Sequence, residues 1–345
     1  MIEDKQYCSE AFLIYRYIAD ENRTFRADIN PYFFKAPMHE YPIASLEDTE
    51  NAIRDYINTI VASGGRLGLA LSGGIDSAIL AKYVPADTPT YTFHCVAPGA
   101  LDETAQARRY AEECGLNNKV IDITWDDVLN NADVLMRHKG APIHSIEAQI
   151  YAAALQARAD GVTHLLFGEN ADIVFGGMDG LLSQDWDFDA FVKRYAYLDP
   201  TKVLKNGRWI MEPFERFRQG DKIDFYSFIR HYFYYEANNS YDNACSTAGV
   251  KYCTPFNHMR LTFTLDYDRI RRGDTKYILR EIFNKLYPQM GQPVKVPMPR
   301  AVSQWLASWQ GPVRPEFIPH CADALKGDQR WMIFILERFL NAIEI

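Results

Sequence analysis

The sequence predicts an α/β protein: a parallel sheet with helices on both faces, followed by a C-terminal helical lobe and preceded by a short N-terminal extension. Three observations predict it. Short apolar runs alternate with helical patterns between about residues 46 and 184, and such alternation builds βαβ units whose strands run parallel. Two of those runs end in turns rich in glycine and acid, Ser72-Gly-Gly-Ile-Asp-Ser77 and Gly168-Glu-Asn-Ala-Asp172. Beyond about residue 185 the strand pattern disappears and helical spacing takes over.

Taken in order, residues 1–45 mix aromatic residues with charges and end in Pro31, Pro37 and Pro42. They read as a small strand-and-turn extension packed on the main unit. Ser45 is placed as the N-cap of a helix that carries Ile53, Tyr56, Ile57 and Ile60 and stops at Gly64-Gly65, because a serine hydroxyl accepts from the first free amides. Leu67, Leu69 and Leu71 form the first strand. Thr90–Val96 is the second, Lys119–Ile123 the third and Thr163–Phe167 the fourth. Helices are expected from Asp102 to Cys114, Asp126 to Met136 and Ile146 to Ala159. The remainder reads as helices, roughly Phe188–Tyr197, Phe225–Asn238, Arg260–Arg269, Tyr277–Leu286 and Ser303–Trp309, with an amphipathic one at the end. The division expected is therefore 1–45 for the extension and 46–345 for the main unit, split into an α/β core (46–184) and the lobe (185–345).

Composition narrows the function classes. Hydrophobic residues at 48% supply a core for 345 residues, and no apolar run reaches the length that crosses a bilayer. With no signal-peptide pattern at the N-terminus, the expectation is a cytoplasmic protein without a membrane partner. A net charge of −8 argues against a nucleic-acid-binding face. The six cysteines contain no Cys-x-x-Cys pair, which argues against a zinc or redox site; Cys95 reads as a buried thiol. The aromatic cluster Phe225–Tyr235 reads as core.

The turn at 72–77 carries the chemistry. Strand, glycine-rich turn and helix start let backbone N–H groups approach an anion, and the Ser72 and Ser77 hydroxyls can donate to phosphate oxygens. Asp76 would repel a bare phosphate, and becomes sensible where a Mg²⁺ ion lies between carboxylate and phosphate. A Walker P-loop would end in Gly-Lys-Ser/Thr, so this is another kind of phosphate loop. In open parallel sheets ligands bind beyond the carboxyl ends of strands, which puts the turn at Asp76 and the turn at Glu169 and Asp172 on one edge.

Ser72-Gly-Gly-Ile-Asp-Ser77 resembles the pyrophosphate loop of the ATP pyrophosphatases. Five further stretches are similar to one branch of them, the synthetase domain of asparagine synthetases shared with β-lactam synthetase. They are Asp102-Glu103-Thr-Ala, Gly168-Glu-Asn-Ala-Asp-Ile-Val-Phe-Gly-Gly177, Tyr241 to Phe256, Thr275-Lys276-Tyr-Ile-Leu-Arg280-Glu, and Pro293-Val-Lys295. Order and approximate spacing hold from about residue 50 to 310. The resemblance implies an adenine nucleotide α-hydrolase-like fold and an ATP-dependent, AMP-forming carbon–nitrogen ligase. It implies roles as well. Ser72, Gly73, Gly74 and Ser77 would hold the pyrophosphate; Asp76 and Asp172 would carry Mg²⁺; Lys295 would contact the phosphates. Lys276 would neutralise charge that builds up during transfer, and Glu169 would orient or deprotonate the amine. Backbone near Leu69, Leu71, Phe93, Phe167 and Gly168 would enclose adenine. Outside that register, Lys276 and Lys295 read as helix-end lysines, Glu169 and Asp172 as caps, and the histidines as structural.

Departures bear on the substrate. The family's glutamine-hydrolysing half begins with a cysteine after the initiator methionine, where this sequence has Ile2, and Cys8 lies too far in. The expectation is that this half is missing. The nitrogen would then come from free ammonia, a substrate amine or a separate amidotransferase subunit. Asn170 and Ile173 stand where the family prefers Gly and Glu, and Cys253-Thr-Pro-Phe-Asn257 replaces Val-Pro-Phe-Leu-Asp; the carboxylate substrate is expected to be other than aspartate. Two alternatives compete: a non-catalytic nucleotide-binding subunit derived from the family, and a tRNA-modifying enzyme with the same loop.

Overall fold

The computed structural model describes residues 1–293 and 298–344. Its centre is a five-stranded parallel sheet. The strands are β1 (Leu67–Ala70), β2 (Thr90–Cys95), β3 (Asn118–Ile123), β4 (His164–Leu166) and β5 (Lys251–Cys253). Their order across the sheet is β5–β4–β1–β2–β3. The chain winds outward from β1 through β2 to β3, then crosses back to lay β4 on the other side of β1. The winding reverses between β1 and β4, and this switch point opens a crevice at their carboxyl ends.

Strand alternation explains the two flanking layers. In β1, Leu67 and Leu69 face one core and Ala70 the other, as the period of two requires. On the Leu69 face lie α2 (Leu46–Ala62), α3 (Ile75–Ala81), α4 (Thr104–Cys114) and α8 (Tyr277–Leu286). On the other face lie α5 (Trp125–Lys139), α6 (Glu147–Ala159), α7 (Tyr234–Ala248) and α9 (Asp328–Ile343). Ser45 does cap α2, its hydroxyl accepting from Asp48 N at 3.1 Å, and the helices expected before residue 160 form within a few residues of the expected bounds.

Two features differ from the sequence expectation. The N-terminal stretch is more than strands and turns, since it contains α1 (Lys5–Tyr15) between the short paired strands Ile2–Glu3 and Arg23–Thr24. Phe12, Leu13, Ile14 and Tyr15 in α1 are all at most 1% exposed. A helix buried on every side shows no apolar stripe for periodicity to detect. The Arg16 guanidinium at its end is also buried, 3.0 Å from Glu236 of α7 and 3.8 Å above the Tyr197 ring. His144 completes the cluster, its Nε2 2.6 Å from Arg16; burial and the Arg16 charge hold that imidazole far below its ordinary pKa, hence neutral.

The second difference is that strands do not end at residue 185. β5 follows α7 and supplies the fifth sheet position, Met259–Leu261 pairs with Tyr41–Ile43, and Arg218–Gln219 pairs with Lys222–Ile223. The expected helix at Arg260–Arg269 is instead the shorter Tyr267–Arg271. Strands of two or three residues are too brief to show a period of two. Of the aromatic cluster, Phe225, Phe228 and Tyr232 are core, and Tyr226, Phe233, Tyr234 and Tyr235 are half-buried against it; Phe228 stacks on Phe214 at 5.0 Å, and Tyr15 of α1 packs on Phe214. Cys95 is a buried free thiol. Among the described residues no helix is long and apolar enough to cross a membrane.

Candidate active site

A cavity of about 190 Å³ lies at the switch point, where the β1 and β4 turns meet. The β1 turn is internally braced. The Ser72 amide donates to Ser77 Oγ at 3.0 Å, the two hydroxyls are 2.9 Å apart, and the Gly74 amide donates to Ser72 Oγ at 3.2 Å. The Gly73 amide instead donates to Glu103 Oε2 at 3.0 Å, across from the start of α4.

The β4 turn approaches so closely that only glycine fits. A Cβ on Gly168 would lie 2.8 Å from Asp76 Cβ, and one on Gly177 1.8 Å from Asp172 Oδ1. Asn170 adopts φ 68°, in the left-handed region where glycine is usual and asparagine is tolerated. Its amide donates to Asn238 Oδ1 at 3.0 Å and also to Asn257 Oδ1. Asn238 accepts further bonds from Asn257 and Tyr252 at 2.6 and 3.0 Å. β5 adds support, its Cys253 carbonyl accepting from Phe167 N at 2.9 Å and the adjacent Thr254 hydroxyl donating to the Glu169 carbonyl at 2.9 Å.

Lys276 joins the two turns. Its ammonium lies 2.6 Å from Asp76 Oδ2 and 3.0 Å from Asp172 Oδ1. It is not the solvated helix-end lysine that its position before α8 suggests, being only 6% exposed and held at φ 51°. Burial alone would lower its pKa, but the two carboxylates outweigh that and raise it, so the ammonium stays charged. Glu169 behaves in the opposite way. Burial pushes it up to about 7, against hydrogen bonds from the Tyr241 hydroxyl and the Asn170 amide, and the Asp172 and Glu236 charges add to the rise. A carboxylate with that pKa can exchange a proton near neutrality.

The cavity therefore brings together Leu71, Ser72, Gly74, Asp76, Ser77 and Phe93 from the first half of the chain. Phe167, Gly168, Glu169, Asp172 and Lys276 complete the expected set. Two residues stand apart. Leu69 packs in the core of the α2–α3 face, fully buried, and the wall begins one residue later at Ala70; Gly73 does not line the cavity either. Lys295 lies outside the described residues. Seven wall residues had no assigned role: Ala70, Ile75, Glu103, Tyr241, Arg280, Pro293 and Met298. Glu103, Tyr241 and Arg280 all lie in the family-like stretches quoted above, but only the charges of Glu103 and Arg280 set them apart from core residues.

The donor set suits a hard cation with few protein ligands. Asp76 and Asp172 both reach one ammonium, whereas among the described residues no group of three or more His, Cys, Asp or Glu could hold a metal. Mg²⁺ is commonly held by one or two carboxylates, with phosphate oxygens and water completing its shell.

The family model of asparagine synthase matches residues 48–315 of the chain. Among curated proteins, asparagine synthetase [glutamine-hydrolyzing] 1 of Bacillus subtilis (strain 168) is 28% identical over 151 residues. That match covers 42% of this chain and 24% of the relative's length.

Proposed function

Because the chain belongs to the asparagine synthase family, we propose that it is an ATP-dependent amide-forming ligase that adenylates a substrate carboxylate. The observation that carries this reading is the Lys276 ammonium held between Asp76 and Asp172 at the crevice between the β1 and β4 turns. A buried cation beside a glycine-rich turn, with two carboxylates that could hold Mg²⁺, suits a polyphosphate ligand.

In this reading the turn from Ser72 to Ser77 holds the β and γ phosphates, and the apolar wall of Phe93 and Phe167 receives the adenine. Asp76 and Asp172 hold Mg²⁺, which neutralises phosphate charge when bound. The substrate carboxylate oxygen attacks the α-phosphorus, the bond to the β-phosphate oxygen breaks, and pyrophosphate leaves. Lys276 stabilises the charge that develops on the transferring group. Ammonia or an amine then attacks the acyl carbon of the acyl-AMP, and AMP departs. Glu169, held near pH 7, takes the proton that the nitrogen gives up. Asn170 and Asn257 behind Glu169 support an acid other than aspartate, and the cytoplasm is the expected compartment.

The test is ATP turnover with a panel of amino and sugar carboxylates, each with ammonium or an amine. AMP and pyrophosphate released in equal amounts with at least one acid is the expected result. ADP formation, or ATP binding with no release for any acid, would instead favour a nucleotide-binding subunit without this chemistry.

A further inference from the structure

Of the residues from Ser72 to Ser77, all line the cavity except Gly73. The cause is Glu103. Its Oε2 accepts from the Gly73 amide at 3.0 Å, and a Cβ built on Gly73 would lie 3.1 Å from Glu103 Cβ and 3.4 Å from Oε2. The glutamate side chain thus lies directly on the middle of the turn and separates that amide from the cavity, while itself forming part of the wall. The other amides of the turn are engaged differently. Those of Ser72 and Gly74 go to serine hydroxyls of the turn itself, which can rotate and share a bond with an incoming oxygen. Among the described residues, the Gly73 amide is the one in this turn seen held by an anion from another element.

A carboxylate on a phosphate-loop amide occupies the position that a phosphate oxygen would take. Two anions cannot share one N–H donor, and their like charges repel at that distance. The carboxylate is not well solvated there either, since burial pushes Glu103 up to about 6, with Asp102 adding to the rise against the Gly73 bond. Its neighbour Asp102 is fixed elsewhere, accepting from Thr104 N at 2.9 Å, so Glu103 can swing aside without unmaking the start of α4.

We propose that the Glu103 carboxylate is a built-in stand-in for a phosphate oxygen, holding the Gly73 amide until the nucleotide's phosphate tail displaces it. This rests on the nucleotide reading above and deepens it. The consequence is weakened ground-state binding of both ATP and product pyrophosphate. Such weakening hastens product release without a change in the groups that face the reacting phosphorus.

The experiment compares the wild type with E103Q and E103A by calorimetric titration of pyrophosphate in excess MgCl₂, alongside KM and kcat for ATP. Glutamine keeps an acceptor for the Gly73 amide but lacks the charge, so the turn retains its brace. Both variants are expected to bind pyrophosphate roughly tenfold more tightly, the scale of one charge-assisted hydrogen bond gained without competition. KM for ATP is expected to fall and product inhibition to strengthen. A merely structural brace predicts the opposite sign: E103A binding more weakly and E103Q binding like the wild type, which would overturn the proposal. Equal affinities in all three proteins would overturn it as well. If the wild type binds neither pyrophosphate nor ATP, the nucleotide reading itself falls and this inference with it.

Discussion

Replacing Lys276 by methionine tests the centre of the site most directly. Methionine keeps most of the length and apolar stem and carries no charge. Both residues have a Cβ, so the left-handed backbone at φ 51° is equally unfavourable in each and cancels from the comparison. What changes is the ammonium 2.6 Å from Asp76 and 3.0 Å from Asp172. Removing one partner of a fully buried ion pair costs about 3–5 kcal/mol. Here the Asp76 and Asp172 side chains retain 18% and 38% exposure, so solvent screens part of that, and about 2 kcal/mol is expected. For a chain of this size the loss lowers Tm by about 3 °C. Pyrophosphate release should fall about 10²–10³-fold, as when one stabilising donor is taken from a transition state. The discriminating assay is thermal unfolding with and without Mg²⁺. K276M takes the ammonium from both carboxylates, and a divalent cation should compensate for the lost charge. Restoring about 2 kcal/mol requires a free-metal concentration about 30 times Kd. Without a nucleotide to bring the metal in, the wild type, whose carboxylates already hold the ammonium, should respond much less. The reasoning is refuted if K276M keeps half of its activity, or if its lost stability returns neither with Mg²⁺ nor in the K276M/D172N double variant, where one negative charge is gone.

Glu169→Gln should leave ATP-dependent adenylation intact, measured as ATP–pyrophosphate exchange, while amide formation drops about 10²–10⁴-fold. In the wild type amide formation should rise as pH passes through about 7, where Glu169 loses its proton, and E169Q should flatten that profile. The stability linkage has the opposite sense. The folded state keeps the Glu169 proton to about 7 and the unfolded chain loses it in the ordinary carboxylate range, so this group's contribution diminishes as pH rises between those values. Asn170→Ala should destabilise more than Asn170→Gly, by about 1–2 kcal/mol in urea unfolding, because glycine meets the φ of 68° without strain while both lose the amide bonds; equal losses would show that the backbone conformation is not the constraint. Arg16→Met should lower stability by about 3–5 kcal/mol by leaving Glu236 buried without its guanidinium, and a loss under 1 kcal/mol would mean that the cluster relaxes around the gap.

The parallel sheet and most of the residues that line the cavity were legible in the sequence, and the short late strands were not. Strands of four to six residues before residue 124, such as β2 and β3, show their apolar character, and Ser45 announces α2 by its cap. β5 does not announce itself. Its three residues Lys251, Tyr252 and Cys253 sit between the end of α7 and Pro255, and only their pairing with β4 makes them a strand. The N-terminal helix was hidden for the opposite reason, an excess of burial that erases periodicity. Glu103 was legible as an acid at a helix start, but its bond to Gly73 spans 30 residues of sequence and depends on how α4 packs beside the turn. Leu69 lies one step from the cavity wall, which begins at Ala70, and its side chain packs in the core of the α2–α3 face.

The glycines explain why a short motif could indicate a site built from distant parts. Gly168 is the point where the β4 turn passes the β1 turn, with 2.8 Å between its missing Cβ position and Asp76 Cβ. Any side chain there would push Asp76 away from Asp172 and from their shared ammonium. Gly177 does the same for the other carboxylate, since a methyl group would fall 1.8 Å from Asp172 Oδ1. Asn170 looks like a departure when only letters are compared, yet the backbone there needs the left-handed region that asparagine tolerates better than other side chains. Glycine at that position would satisfy the backbone and supply no side chain. Asparagine satisfies it and also reaches Asn238 and Asn257, tying the Glu169 turn to α7 and to the segment after β5. Asparagine here therefore preserves the backbone geometry of the turn while adding bonds that anchor it to its neighbours.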